Sequence, residues 1–378
     1  MPLATELAER GLDLLLNSGL SALSIAAPVA HEADAQALAR PQVLFFAPET
    51  RLRDVLQQLA AARVLSAPVL ASADGGEHQF HGFCDVAAIL HHLLASLPPE
   101  LLEDIVEASA DEVVRAMDAL SSLAFDALAA PVSALPRTDG DLVSRNFASS
   151  SLLDVVQAAF THPIHLRDVS ICHRVAAADV RPELDASASL SSVSPHSMQI
   201  VTHMDIIRFL HARVDDLGAL ADASVEEVSL AGPDLFTFFV SSQLTALRTL
   251  VELDHHRLSA AGVVNGAGEL VANISVSDLR DVPADKLGML ALPVLEFLAV
   301  QAGCRRPRAP VTVTPASPLR AVLECMVAED VHHVYVVNDD APRRPVAVIT
   351  PSDILYLFDS RPETHAAETG HSRNVKDA

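Results

Sequence analysis

The sequence predicts an α/β protein made of four copies of one strand–helix–strand–strand–helix unit. Three observations carry this. Apolar residues recur at helical spacing in stretches such as PLRAVLECMVAEDV, where Leu319, Val322, Leu323 and Met326 share a face. Pairs of β-branched runs follow, as in VHHVYVVN and PVAVIT. The second run of each pair stops at a short polar turn that opens another helix. These turns align as Asp85–Ala88, Thr202–Asp205, Ser275–Asp278 and Thr350–Asp353.

Residues 1–40 form a partly helical extension, with Leu14 to Leu16 and Leu20 as a docking face. Copy one spans 41–97. ETRLRDVLQQLAAARV is its first helix, LSAPVLAS a strand, ADGGEH the turn, and FHGFCDVAAILHHLL the second strand and closing helix. Residues 98–131 read as a helical connector. Copy two spans 132–216, with SLLDVVQAAF as helix, ICHRVAAADV as strand and MQIVTHMDIIRFLHARV as closing element; RPELDASASLSSVSPHS is a Ser-rich insertion between them. Copy three spans 217–284. LTALRTLVEL leads into LSAAGVV and ELVANIS, joined by the tight-turn signal Asn265-Gly266-Ala267-Gly268. Copy four spans 285–360, and the tail 361–378 has the composition of a disordered segment.

Half of the 378 residues are hydrophobic, 4% are aromatic and none is Trp, so the core must be aliphatic. The net charge of −23 repels phosphate backbones and anionic membranes, which argues against both as partners. Any anion site must be a local cluster of Arg and His. The four cysteines form no CxxC pair, so neither a disulfide framework nor a zinc signature is expected. No run of eighteen uncharged apolar residues suggests a membrane span, and the start lacks the pattern of a signal peptide. A reducing compartment, cytoplasm or nucleus, is the simplest expectation. The sequence shows no nucleophile elbow, no Gly-rich phosphate loop and no His/Glu set at metal spacing, so no catalytic or metal residue is assigned. The adjacent pairs His91-His92, His255-His256 and His332-His333 point in divergent directions on a helix and chelate poorly.

The hydroxyl-x-x-Asp turns admit two readings. As helix caps, the hydroxyl accepts a backbone N–H and the acid sits at the positive helix end. As part of a site, a carboxylate beside two strand ends can accept both hydroxyls of a ribose. Phosphate partners then lie nearby: His173 and Arg174 in copy two, His256 and Arg257 just before Ser259 in copy three, and His332 and His333 in copy four.

A helix–strand–strand–helix unit ending in Ser/Thr-x-x-Asp resembles the cystathionine-β-synthase (CBS) domain. Four in one chain resemble the gamma subunit of AMP-activated protein kinase and its fungal and plant relatives. The strongest matches are HHRLSAAGVVNGAGELVANISVSDL and VHHVYVVNDDAPRRPVAVITPSDIL, and the resemblance covers about Leu44 to Asp359. It implies two paired Bateman modules in a pseudo-fourfold disc, with AMP, ADP or ATP in clefts facing the centre. Carried over by position, copy three supplies His256, Arg257, Ser259, Ser275 and Asp278. Copy four supplies His332, Thr350, Ser352 and Asp353; copy two supplies His173, Arg174, Thr202 and Asp205. Copy one has Ala88 in place of the Asp, and copy four has His333 in place of an Arg.

The resulting expectation is a non-catalytic regulatory subunit that senses adenine nucleotides and signals to kinase alpha and beta subunits. No cofactor is expected beyond those ligands, and copy three is the favoured site. The alternative is a degenerate scaffold whose turns are caps alone and which acts by protein–protein contact.

Overall fold

The computed structural model describes residues 2–18, 44–72, 78–99, 101, 110–136, 151–160, 176–178, 199–231, 239–304, 306–338 and 343–358. Leu20, the turn at 73–77, Cys172, His173, Arg174, the Ser-rich insertion and the tail 361–378 lie outside the described residues.

Helix α1 spans Pro2–Leu16. Copy one holds α2 (Leu52–Ala62), β1 (Ser66–Ser72), β2 (His78–Asp85) and α3 (Val86–Ser96). Helix α4 spans Ala110–Ala127. Copy two holds α5 (Leu152–Val155), β3 (Ala176–Ala178), β4 (Gln199–Val201) and α6 (His203–Ala212), followed by the short α7 (Ala219–Asp222). Copy three holds β5 (Phe239–Ser241), α8 (Ala246–His256), β6 (Ala260–Val264), β7 (Leu270–Ser275) and α9 (Ser277–Arg280). Then come α10 (Val294–Gln301) and, in copy four, β8 (Thr312–Val313), α11 (Leu319–Ala328), β9 (Val334–Val337), β10 (Pro345–Ile349) and α12 (Pro351–Tyr356).

The sheets repeat one topology. β5 runs parallel to β6, which pairs antiparallel with β7; β8, β9 and β10 do the same. In copy one, Phe46 makes a parallel bridge to Val69 beside the antiparallel β1–β2 pair. The helices bury the predicted stripes: Leu52, Val55, Leu56 and Leu59 on α2, and Leu319, Val322, Leu323 and Met326 on α11.

Copies that alternate in the chain share cores. One core joins copy one (Val55, Leu59, Leu93) to copy three (Leu247, Leu250, Leu279), with Phe297 of α10 inside it. The other joins copy two (Val155, Ile207, Leu210) to copy four (Leu323, Val336, Ile354, Phe358), with Leu15 of α1 inside it. The helical connector also belongs to a core: Leu120, Ala124 and Leu128 are fully buried with copies one and three. Ser121 Oγ accepts the Gly288 N–H at 3.0 Å there, and Gly288 leaves α4 room, since a Cβ on it would strike the Met117 carbonyl oxygen.

Copies three and four meet through their sheets instead. Leu270, Tyr335 and Val337 bury one another, with Phe239 and Val348 alongside. The Tyr335 hydroxyl donates to Asn273 Oδ1 at 2.5 Å, and the Leu270 N–H donates to the Arg343 carbonyl at 3.2 Å.

One tether recurs in all four copies. The residue opening each first helix donates its N–H to a distant carbonyl: Leu52 to Ala130, Leu152 to Ser18, Ala246 to Leu292 and Leu319 to Ala223. Copies one and three thus tie to the segment that follows them. Copies two and four tie to the segment ahead of their module, so Ser18 after α1 has its counterpart in Ala223 after α7.

Candidate functional site

The expected capping boxes form in copies two and four. Asp205 Oδ2 accepts the Thr202 N–H at 2.8 Å and its hydroxyl at 2.7 Å, while Thr202 Oγ1 accepts the Asp205 N–H at 3.3 Å. Asp353 Oδ2 accepts the Thr350 N–H at 2.7 Å and its hydroxyl at 2.6 Å, with the return bond at 3.4 Å. Copy three keeps half of the box. Asp278 Oδ2 accepts the Ser275 N–H at 2.7 Å and its hydroxyl at 3.2 Å, but Ser275 Oγ lies against Ser277 Oγ instead of capping an amide. Copy one moves the acid to the cap itself, where Asp85 accepts the Ala88 N–H at 2.7 Å.

Strand pairing fixes which residues are equivalent. The cap residues Asp85 and Ser275 lie opposite Ser66 and Ala260; Thr350, one step past the Ile349–Val334 pair, takes the same place opposite His333. Counting back, His332 matches Ser259 and Leu65, and Asp330 matches Arg257 and Arg63. The backbone agrees: Arg63, Arg257 and Asp330 all take the left-handed conformation, with φ of 55°, 54° and 49°. This corrects the expectation that His332-His333 stands where His256-Arg257 stands. His332-His333 is offset by three residues from His256-Arg257: the histidine pair of copy three closes α8, whereas that of copy four lies past the end of α11 at Ala328.

A cavity of about 750 Å3 lies between copies three and four. It gathers Ser259, Ser275 and Asp278 with His332, Thr350, Ser352 and Asp353. Leu65 of copy one and His203 of copy two also line it, so all four copies reach it. Leu258, Leu298, Val311, Val331 and Val348 give it apolar walls. His256 and Arg257 do not line it: Arg257 caps α8 and is exposed, and His256 lies 3.7 Å from Glu252. Thr202 and Asp205 face elsewhere, with Asp205 3.5 Å from Arg208.

Asp278 and Asp353 each spend Oδ2 on their own turn. Burial raises Asp278 from 3.8 to about 6, against the pull of its bonds to Ser275. Burial also raises Asp353, against its bonds to Thr350. The same desolvation pushes His333 down to about 3, with His332 adding to it, so His333 is neutral at physiological pH. Its Nε2 lies 3.0 Å from Ser259 Oγ, which joins the two copies across the cavity. His332 is lowered by burial as well, partly offset by Asp330. Ser352 Oγ lies 3.3 Å from His203 Nε2, and the His203 ring packs on Phe160 at 4.4 Å between centroids.

Several lining residues escaped the sequence reading. Asn273 carried a signal, as a polar residue inside the apolar run LVANIS. Asp281, Arg308 and Asp330 carried none, since each reads as a solvated charge until the cavity is seen. Among the described residues no group of three or more His, Cys, Asp or Glu could hold a metal ion, and no helix is long and apolar enough to cross a membrane.

Residues 307–360 match the family model described as the CBS domain. No curated protein matches the chain. Among solved structures, a Methanocaldococcus jannaschii protein described as a proposed archaeal homologue of g-AMPK superposes with a TM-score of 0.54 at 17% identity, over 84% of this chain and 96% of that one. An uncharacterised conserved Pyrococcus horikoshii protein matches over 84% and 95% with a TM-score of 0.41 at 14% identity. A Methanocaldococcus jannaschii CBS domain pair in complex with 5′-methylthioadenosine and S-adenosyl-L-methionine covers 36% of this chain and 96% of that one, with a TM-score of 0.28 at 22% identity. The chain is therefore an α/β protein of CBS-type repeats that carries a CBS domain at 307–360, pairs its third and fourth copies as a Bateman module, and resembles in fold the archaeal protein described as a proposed g-AMPK homologue.

Proposed function

We propose that this chain is a non-catalytic regulatory protein that holds an adenosine-type ligand between copies three and four and passes its occupancy to a protein partner. The observation that carries the reading is the pair of carboxylates, Asp278 and Asp353, on the wall of one cavity. Each uses one oxygen for its helix start, and the other oxygen is available to a ribose diol. The apolar walls suit a purine ring. Because all four copies reach the cavity, a ligand that favours one packing of the copies would shift the population of the whole assembly. A kinase complex with alpha and beta subunits is the partner suggested by the gamma resemblance.

The competing reading is a scaffold without a ligand. The complete capping boxes of Thr202–Asp205 and Thr350–Asp353 favour it, since both acids already have a structural task.

Thermal unfolding of the full chain with adenosine, AMP, ADP and ATP separates the two. A ligand at one hundred times its Kd stabilises by about 2.7 kcal/mol, a visible rise in Tm. Asp278→Asn should remove the response. If none of the four ligands raises Tm at millimolar concentration, the sensor reading fails and the scaffold reading stands.

A further inference from the structure

The cleft between copies three and four has the wrong charge for a phosphate. Among the described residues four carboxylates line it, Asp278, Asp281, Asp330 and Asp353, against one guanidinium, that of Arg308. Arg308 is already engaged: its Nη2 lies 2.6 Å from Glu329 Oε2 and 3.1 Å from the Glu329 carbonyl. Two nearby arginines are engaged too. Arg280 holds Asp281 through two bonds of 2.8 Å, and Arg208 holds Asp330 at 3.0 Å. With those partners included, five carboxylates face three guanidiniums. Three histidines also line it: burial keeps His332 and His333 below their ordinary range, so they add no charge, and His203 Nε2 lies 3.3 Å from Ser352 Oγ. Arg257, the one arginine that sequence placed in copy three's phosphate position, lies outside the cavity, and its copy-four counterpart is Asp330. The helices that open onto the cavity, α9 and α12, are four and six residues long and offer no anion site of their own.

We infer that this cleft selects an uncharged or cationic nucleoside and discriminates against the phosphorylated one. The inference rests on the ligand-binding reading above and gives that ligand its charge class. A 5′ phosphate on a ribose held at Asp278 or Asp353 enters a field of like charge, in a partly desolvated space where such repulsion is weakly screened. A hydroxyl at the same place meets no penalty, and an ammonium is attracted. Selectivity thus comes from repelling the wrong ligand as much as from holding the right one.

The test is calorimetric titration of the full chain with adenosine, 5′-amino-5′-deoxyadenosine, AMP and ATP at low salt. Each titration is repeated on Asp278→Asn, so that the binding lost in the variant isolates this cleft from any other. In that component adenosine and its amino analogue should bind at least about tenfold more tightly than AMP, with ATP weaker still. The double variant Asp281→Asn, Asp330→Asn should move the AMP-to-adenosine ratio several-fold toward AMP. Asparagine tolerates the left-handed backbone at 330, and circular dichroism checks that this variant folds. Preference for AMP or ATP in the Asp278-dependent component overturns the charge inference and leaves the sensor reading intact. Binding that Asp278→Asn does not touch puts the ligand elsewhere, and overturns both the charge inference and the placement of the ligand between copies three and four. If none of the four ligands binds, the sensor reading itself falls.

Discussion

Replacing Asp278 with Asn should make the unliganded protein more stable at neutral pH, although a helix-start acid is lost. Burial holds this carboxyl at about 6, against 3.8 in its ordinary state. A carboxyl raised in this way takes up protons on folding. Its contribution to stability is therefore fullest below pH 3.8 and is lost as pH rises through about 6. The loss by pH 7.5 is about 3 kcal/mol at most, and about 1–2 kcal/mol once water in the cavity solvates the open face of the carboxylate. The amide oxygen of Asn can still accept the Ser275 N–H, now 2.7 Å from Asp278, so the start of α9 keeps its main bond. Urea unfolding at pH 4 and pH 7.5 reads the effect. The variant should match the parent at pH 4 and exceed it by about 1–2 kcal/mol at pH 7.5. A gain independent of pH, or a loss at pH 7.5, would refute the reasoning, because the carboxylate would then be a net stabiliser of the fold. Stability given up by an ionised group on a cavity wall is what a binding site requires.

Arg257→Gly relieves a left-handed residue at φ 54° and should raise stability by about 0.5–1 kcal/mol while leaving binding in the copy-three/four cavity unchanged; unfolding and titration of the same sample check both. Tyr335→Phe removes the hydroxyl that Asn273 accepts at 2.5 Å between copies three and four. It should cost about 1–2 kcal/mol in urea unfolding, since Asn273 Oδ1 loses its donor. Gly288→Ala drives a methyl group against the Met117 carbonyl and should cost about 1–3 kcal/mol by the same assay, whereas Gly266→Ala, at a position with open space, should cost far less.

The repeat was legible because its signals are local. Helical stripes, paired β-branched runs and the hydroxyl-x-x-Asp turns all lie within a few residues of one another, and α2, α8 and α11 bury the faces their spacing predicts. The floor of the cavity was legible for the same reason, through Ser275, Asp278, Thr350 and Asp353. Its charge was not. Asp281, Asp330 and Arg308 become wall residues only through the packing of copy three on copy four, which no short window encodes. The histidine pairs misled for a related reason. Their letters align, but strand pairing sets the register, and a three-residue offset exchanges an arginine for an aspartate.

The sharing of cores between alternate copies has a consequence for biosynthesis. When a ribosome has completed residue 238, copies one and two are both made and neither has its partner. Leu247, Leu250 and Phe297, which fill the core around Val55 and Leu93, are still to come, as are Leu323 and Val336 for Ile207. The emerging half-chain must keep two aliphatic faces from sticking to other chains until the second half arrives. The last described segment completes this: Gly11 on α1 packs against the ring of Phe358, so the first described helix finds its seat only when the last described residues arrive.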